Sequence, residues 1–161
     1  MRRRLRKSDC PVHFALEVFG DTWSLLIIRD LMFKGRTTYS DFLRAEEGIA
    51  TNVLADRLVR LEEDGVIEKD SIGEGRIAGR YRLTEIGIDL LPVMVDIIDW
   101  SARHDPKSAA DRGFVRRLRR DRDGLLTELR SALLSARRAT PSEAAAPTSS
   151  RKTRRTKETL R

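Results

Sequence analysis

One cysteine, two histidines and an aromatic content of 6% in 161 residues leave little material for several kinds of chemistry. A lone thiol, Cys10, cannot close an intramolecular disulfide, which fits a reducing compartment. His13 and His104 stand apart, with no Cys or carboxylate cluster at ligand spacing, so neither a metal site nor a cofactor is expected. No window approaches the roughly 20 consecutive apolar residues of a membrane span. The arginine-rich start lacks the apolar run of a signal peptide, so a cytoplasmic protein with no membrane partner is expected. No segment assembles a nucleophile, a base and an orienting group. Gly73, Gly75 and Gly79 imitate a nucleotide loop, but the stretch runs into RYRLT, a strand, where a phosphate site needs a helix N-terminus. An enzyme is therefore not expected.

Charge is plentiful but unevenly placed. The net charge is +7, yet residues 1–7 carry five cations and no acid, and residues 137–161 carry +6. Taking both ends away leaves the middle at −4, so the basicity belongs to the termini. Any anion-binding site on the folded part must be a local patch.

Along the chain, Asp9 is positioned to cap a helix with Cys10 and Pro11 in its first turn, and Val12, Leu16 and Phe19 share a face before Gly20. Asp21 or Thr22 caps a second helix running to Gly35, and Thr38 with Asp41 forms a capping box for a third that ends near Glu47. The stretch GIATNVLADRLVRLEEDGVI then predicts a fourth helix, capped by Thr51 and stopped at Gly65. Its Leu54, Leu58 and Leu61 make one buried stripe, leaving Asn52, Val53, Asp56, Arg57 and Arg60 on the other side. Two short helices joined by a tight turn, the second with arginines outward, are a helix-turn-helix pattern.

After Gly65 the period changes, and residues 66–71 and 80–84 predict a hairpin, with Tyr81 and Leu83 on one side. Thr84 caps a helix to about Arg103 that is apolar on two sides and should be kinked or restarted by Pro92. Ile88, Leu91, Val95 and Ile98 form one stripe, and Leu90, Val93, Ile97 and Trp100 a second, which a small domain best uses against a second copy of itself. Residues 111–138 predict further helix, weakened at Gly124, and from Thr140 onward the composition predicts a disordered tail. The expected fold is thus mainly α with a small β-hairpin. It is a winged helix-turn-helix domain with extra N- and C-terminal helices for dimerisation. The expected units are a basic arm (1–9), the winged domain with dimerisation helices (10–104), a helical extension (105–138) and a basic tail (139–161).

Cys10-Pro11, ALEVFGDTWSLLIIRDL at 15–31, YSDF at 39–42, the GIATNVLADRLVRLEEDGVI stretch and YRLTEIG at 81–87 together resemble the HxlR-type winged-helix transcriptional regulators. The resemblance covers residues 10 to about 100, departing from the family in a wing loop, SIGEGRIAGR, without its common proline. It implies a DNA-binding homodimer, with Val12, Leu16, Leu90, Val93, Ile97 and Trp100 as candidate contacts between subunits. A recognition helix fits the major groove with its first turn on base edges. Thr51, Asn52 and Val53 are accordingly the candidate base readers, and Arg57 and Arg60 the candidate phosphate or guanine ligands. Thr38 and Ser40 are candidate phosphate ligands at the preceding helix, and Arg76 and Arg80 candidates for the flanking minor groove. Cys10 sits where some members carry a cysteine that responds to electrophiles or oxidants; a helix N-terminus favours its thiolate. The expected function is a sequence-specific regulator of double-stranded DNA, a repressor on an inverted-repeat operator, responsive to a small-molecule effector or to oxidation of Cys10. The alternative is an architectural protein that coats DNA with its basic tails.

Overall fold

The computed structural model describes residues 8–70 and 79–138. The expected disordered tail, residues 1–7 of the basic N-terminal arm and most of the wing loop, including Arg76, lie outside the described residues.

Helix α1 (Pro11–Phe19) begins at Cys10, not Asp9: Cys10 takes the extended N-cap conformation, its amide donates to Ser8 Oγ at 3.1 Å, and Pro11 opens the first turn. Helix α2 (Ser24–Arg29) continues as a wider π turn over Asp30–Lys34 and stops at Gly35, whose φ of 64° suits a residue without a side chain. The N-cap is Trp23, not Asp21 or Thr22 as expected, but the Asp21 carboxylate still braces the entry to α2 by accepting from the Trp23 and Ser24 amides at 2.8 and 3.0 Å. Helix α3 (Tyr39–Leu43) carries the full Thr38–Asp41 capping box but ends at Leu43 instead of near Glu47. Leaving the helix there lets Ile49 bury and turns Glu47 back onto Arg29, at 2.5 Å.

Helix α4 (Thr51–Glu63) starts one residue earlier than foreseen, since Ala50 is the N-cap and makes no side-chain cap bond. Thr51 is therefore the first helical residue, and its hydroxyl is not a cap. Gly65 ends the helix with φ 71°, as the Asp-Gly pair predicts. Strands β1 (Ile67–Lys69) and β2 (Tyr81–Leu83) pair antiparallel with Ile67 opposite Leu83, each shorter than expected. A further bond from the Tyr81 amide to the Thr37 carbonyl, 2.7 Å, joins the hairpin to the helix-turn-helix.

The helix expected after Thr84 restarts at Pro92, as the proline predicts. Helix α5 (Glu85–Ile88) is capped by the Thr84 hydroxyl, and α6 (Leu91–His104) restarts with Pro92 in its first turn, where a missing amide costs nothing. The 111–138 segment is likewise broken at Asp121, into α7 (Arg112–Arg120) and α8 (Arg122–Arg138). Asp121 accepts from the Gly124 amide at 3.0 Å, so the glycine that weakens the helix falls at the start of one.

One core runs through all of this. Ile28, Phe42, Leu54, Leu58, Leu61, Val66, Ile67, Ile88, Leu91 and Val95 are buried together, and Leu118 and Leu125 bring α7 and α8 onto the same cluster. Arginines reinforce the docking of the C-terminal helices: Arg119 meets Asp99, Arg122 meets Asp96, Arg130 meets Asp89, and Arg137 meets Glu68 and Glu85. Such exposed pairs contribute about 0–1 kcal/mol each, so the buried leucines carry most of the attachment. Among the described residues no single helix is long and apolar enough to cross a membrane.

Candidate nucleic-acid interface

The leucine stripe decides how α4 is held. Leu54 and Leu61 are 0% exposed and Leu58 nearly so, which fixes the helix on the domain and aims its far side outward. The Tyr39 hydroxyl, donating to the Thr51 carbonyl at 2.8 Å, pins the first turn of α4 against α3. Sequence reasoning missed this tyrosine, although its place directly after the Thr38 cap puts it beside the turn.

Thr51 and Asn52 are exposed, and their side chains have no partner among the described residues. Val53 is half-buried and packs on the protein's own core, so only its edge is open to a base. Val59, one helical repeat beyond Asn52, is 54% exposed and extends the outward face with an apolar side chain that the sequence reading passed over. The two arginines differ. Arg60 is extended in solvent, its side chain 47% exposed and paired only with equally exposed Asp56. Arg57 is 20% exposed and reaches sideways, to Asp21 at 3.1 Å and to Asp56 at 2.7 Å. Burial disfavours the charged form of Asp21. Hydrogen bonds from the Ser24 hydroxyl and the Trp23 and Ser24 amides, with Arg57 nearby, outweigh it and hold the carboxyl below its ordinary range.

At α3, the Thr38 hydroxyl accepts from the Asp41 amide, and the Asp41 carboxylate accepts from the Thr38 amide at 2.9 Å. The Thr38 bonds keep that carboxylate below its ordinary range. Thr38 is therefore engaged with Asp41 through both its hydroxyl and its amide, whereas Ser40, exposed in the first turn of α3, is open. Glu47 is held down at about 2 by the hydrogen bond from Arg29, whose guanidinium also clasps Asp30, a carboxylate buried with Arg36 at 3.0 Å. This network braces the turn from α3 into α4. Arg80, entering β2, is exposed with no acidic partner among the described residues, while Arg82 is matched to Glu68 and Asp70.

The candidate subunit contacts leave exposed apolar side chains on α1 and on α6. Val12 is 64% exposed, Leu16 59% and Trp100 59%, with Val93 and Ile97 less so. Leu90 differs, being half-buried against the protein's own core. Cys10 is exposed at the start of α1. Among the described residues no three His, Cys, Asp or Glu side chains are grouped to hold a metal ion.

Three comparisons bear on these features. The uncharacterized HTH-type regulator YybR of Bacillus subtilis is 30% identical over 112 residues, 68% of this chain and 89% of that protein. The uncharacterized HTH-type regulator sll1512 of Synechocystis is 34% identical over 53% of this chain and 63% of its own length. Among solved structures, PA1607, a putative transcription factor, superposes with a TM-score of 0.58 at 38% identity, covering 66% of this chain and 74% of that one. The transcriptional regulator YodB of B. subtilis in its reduced form gives 0.52 at 27% identity, over 63% of this chain and 99% of that one. The redox regulator HypR in its oxidized form gives 0.54 at 28%, over 59% and 97%. The model of the HxlR-like helix-turn-helix family matches residues 18–109, which contain the whole of α2 through α6, and the chain belongs to that family of transcriptional regulators.

Proposed function

We propose that this regulator binds one operator in double-stranded DNA as a homodimer, reading an inverted repeat with one α4 per half-site. The observation that carries the reading is the first turn of α4: unpartnered Thr51 and Asn52 stand outward directly above leucines with no exposure. Polar groups so placed match the donor and acceptor pattern of base edges, and Ser40, Arg57, Arg60 and Arg80 border them where phosphates would run. Arg76, in the wing loop, belongs to the same proposal. The exposed apolar side chains of Val12, Leu16, Val93, Ile97 and Trp100 are the proposed subunit interface, with Leu90 behind it. Two recognition helices related by a twofold axis read half-sites about one helical turn apart. A dimer lying on promoter DNA competes with polymerase, so repression is the proposed sense, in the cytoplasm.

Cys10 is proposed as the point of thiol-dependent control. It lies within one helical turn of Val12, so oxidation would act at the edge of the proposed interface. The solved relative HypR is itself described as a redox regulator. Alkylation that leaves operator affinity unchanged would remove Cys10 from this role.

The test separates operator reading from coating by basic ends. Residues 1–7 and 139–161 are removed, and the truncated protein is footprinted on the promoter beside its own gene. Retained protection of one inverted repeat is the expected result. Uniform loss of protection would show that the termini alone hold the duplex.

A further inference from the structure

The last turn of α6, the connection 105–110 and α7 line a cleft of about 350 Å³, open to solvent. Its lining is more polar than apolar, combining Ala102 and buried Val115 with Arg112, Arg116 and Arg119 of α7. Arg112, Arg116 and Arg119 fall at i, i+4 and i+7 of α7 and so share one face. Several arginines elsewhere on α7 and α8 are matched by an acid, Arg117 by Glu128, Arg122 by Asp96, Arg130 by Asp89 and Arg137 by Glu68, while Arg120 and Arg138 meet none among the described residues. In the cleft only Arg119 is matched, by Asp99 at 2.6 Å, and Arg112 and Arg116 meet no acid among the described residues. The one carboxylate in the lining, Asp105, accepts from the Lys107 amide at 2.9 Å. Bonds from the Ser108 amide to the Asp105 carbonyl and from the Ala110 amide to Ser108 Oγ shape the connection without any occupant.

A concave, mainly polar surface with unmatched guanidinium forks and a single acid is complementary to negative charge on a small body. We propose that this cleft binds a small organic anion with two or more anionic oxygens, a polycarboxylate or a phosphate ester, held by Arg112 and Arg116. The lining residue Ala102 follows Trp100 by two positions on α6, and Trp100 packs at a tilt against His104 with ring centroids 5.0 Å apart. Occupancy would therefore be felt at the end of a helix that carries exposed apolar side chains, although binding itself does not depend on the DNA-binding reading.

The test is titration calorimetry of the full chain with citrate and, separately, glycerol 3-phosphate at constant ionic strength. The two arms distinguish the carboxylate from the phosphate source. Saturable binding of at least one is expected, weakened about tenfold or more in Arg112→Gln and Arg116→Gln, where a fork is lost. Arg120→Gln, an exposed arginine of α7 outside the lining, should leave it unchanged. No saturable binding of either compound would overturn the proposal, as would equal weakening in Arg120→Gln, the mark of diffuse charge. It would also fail if the two cleft variants lost duplex DNA affinity while anion binding was unmoved, because the row would then be a phosphate-backbone contact.

Discussion

Replacing Arg60 by alanine isolates the electrostatic part of recognition. Its side chain is half in solvent and paired only with Asp56, itself 47% exposed, so the folded state should lose no more than about 1 kcal/mol. If each subunit places Arg60 on one phosphate, the variant dimer releases two fewer sets of counterions. The slope of log affinity against log salt should then fall by about 1.8, and across a roughly fourfold rise in salt the native protein should weaken about twelvefold more than the variant. Fluorescence anisotropy on an operator duplex and a scrambled duplex measures both slopes. The loss should be equal on the two sequences, because a phosphate carries no base identity. Asn52→Ala is the complement. It should leave the slope alone and reduce operator-over-scramble discrimination by about 1–3 kcal/mol per half-site. Parallel salt plots for Arg60→Ala and the native protein, together with unaltered discrimination in Asn52→Ala, would refute the placement of α4 in the groove. Arg57→Ala should lower affinity on both duplexes and also unfold more readily, since its guanidinium ties α4 to Asp21 at the entry to α2.

Other consequences can be measured on the isolated protein. Leu54→Ala should cost about 2–5 kcal/mol in urea unfolding, as expected for a fully enclosed leucine, and a loss under about 1 kcal/mol would mean that α4 is not anchored by its stripe. The Glu47 carboxyl is lowered from 4.5 to about 2, so the folded state binds fewer protons than the unfolded chain in that interval. Its contribution is present above about 4.5 and is lost as pH falls toward about 2. Glu47→Gln should therefore flatten that part of the acid limb in a pH series of urea midpoints, and a limb parallel to the native one would contradict the pairing with Arg29. Ile97→Asp, on the exposed side of α6, should convert a sedimenting dimer to monomer while leaving the unfolding midpoint of the monomer close to native. A dimer that persists would place the interface elsewhere.

Much of the fold was legible because a few residues carry unambiguous local chemistry. The Thr38–Asp41 box, the Gly35 and Gly65 stops and the leucines of α4 each have one physical reading, and all stand where the pattern put them. Caps without such chemistry were misplaced: Asp9 and Thr51 have suitable side chains, but Pro11 and the Tyr39 hydroxyl fix the adjoining turns instead. The break before α6 was announced by Pro92, which opens the new helix, whereas the one at Asp121 was marked only by the weakness of Gly124, because an apolar period continues through it while the backbone does not. At the site, the types of residue on α4 could be read, but not their engagement. That Arg57 is drawn to Asp21, 36 positions earlier, depends on how α1, α2 and α4 meet, and no local spacing encodes it.

Thr84 gives the molecule a mechanical character. Its hydroxyl donates to the carbonyls of Gly65 and Val66 and accepts from the Gly87 amide, while a Cβ on Gly87 would collide with the Val66 carbonyl. The exit of α4, the base of the hairpin and the whole of α5 are thus riveted at one spot, and the helical backbone next breaks at the Asp89–Leu90 turn. In the proposed dimer, α4 and the hairpin would therefore shift as a single piece when α6 moves. The result would be a changed distance between the two halves on the duplex, with each half keeping its own shape.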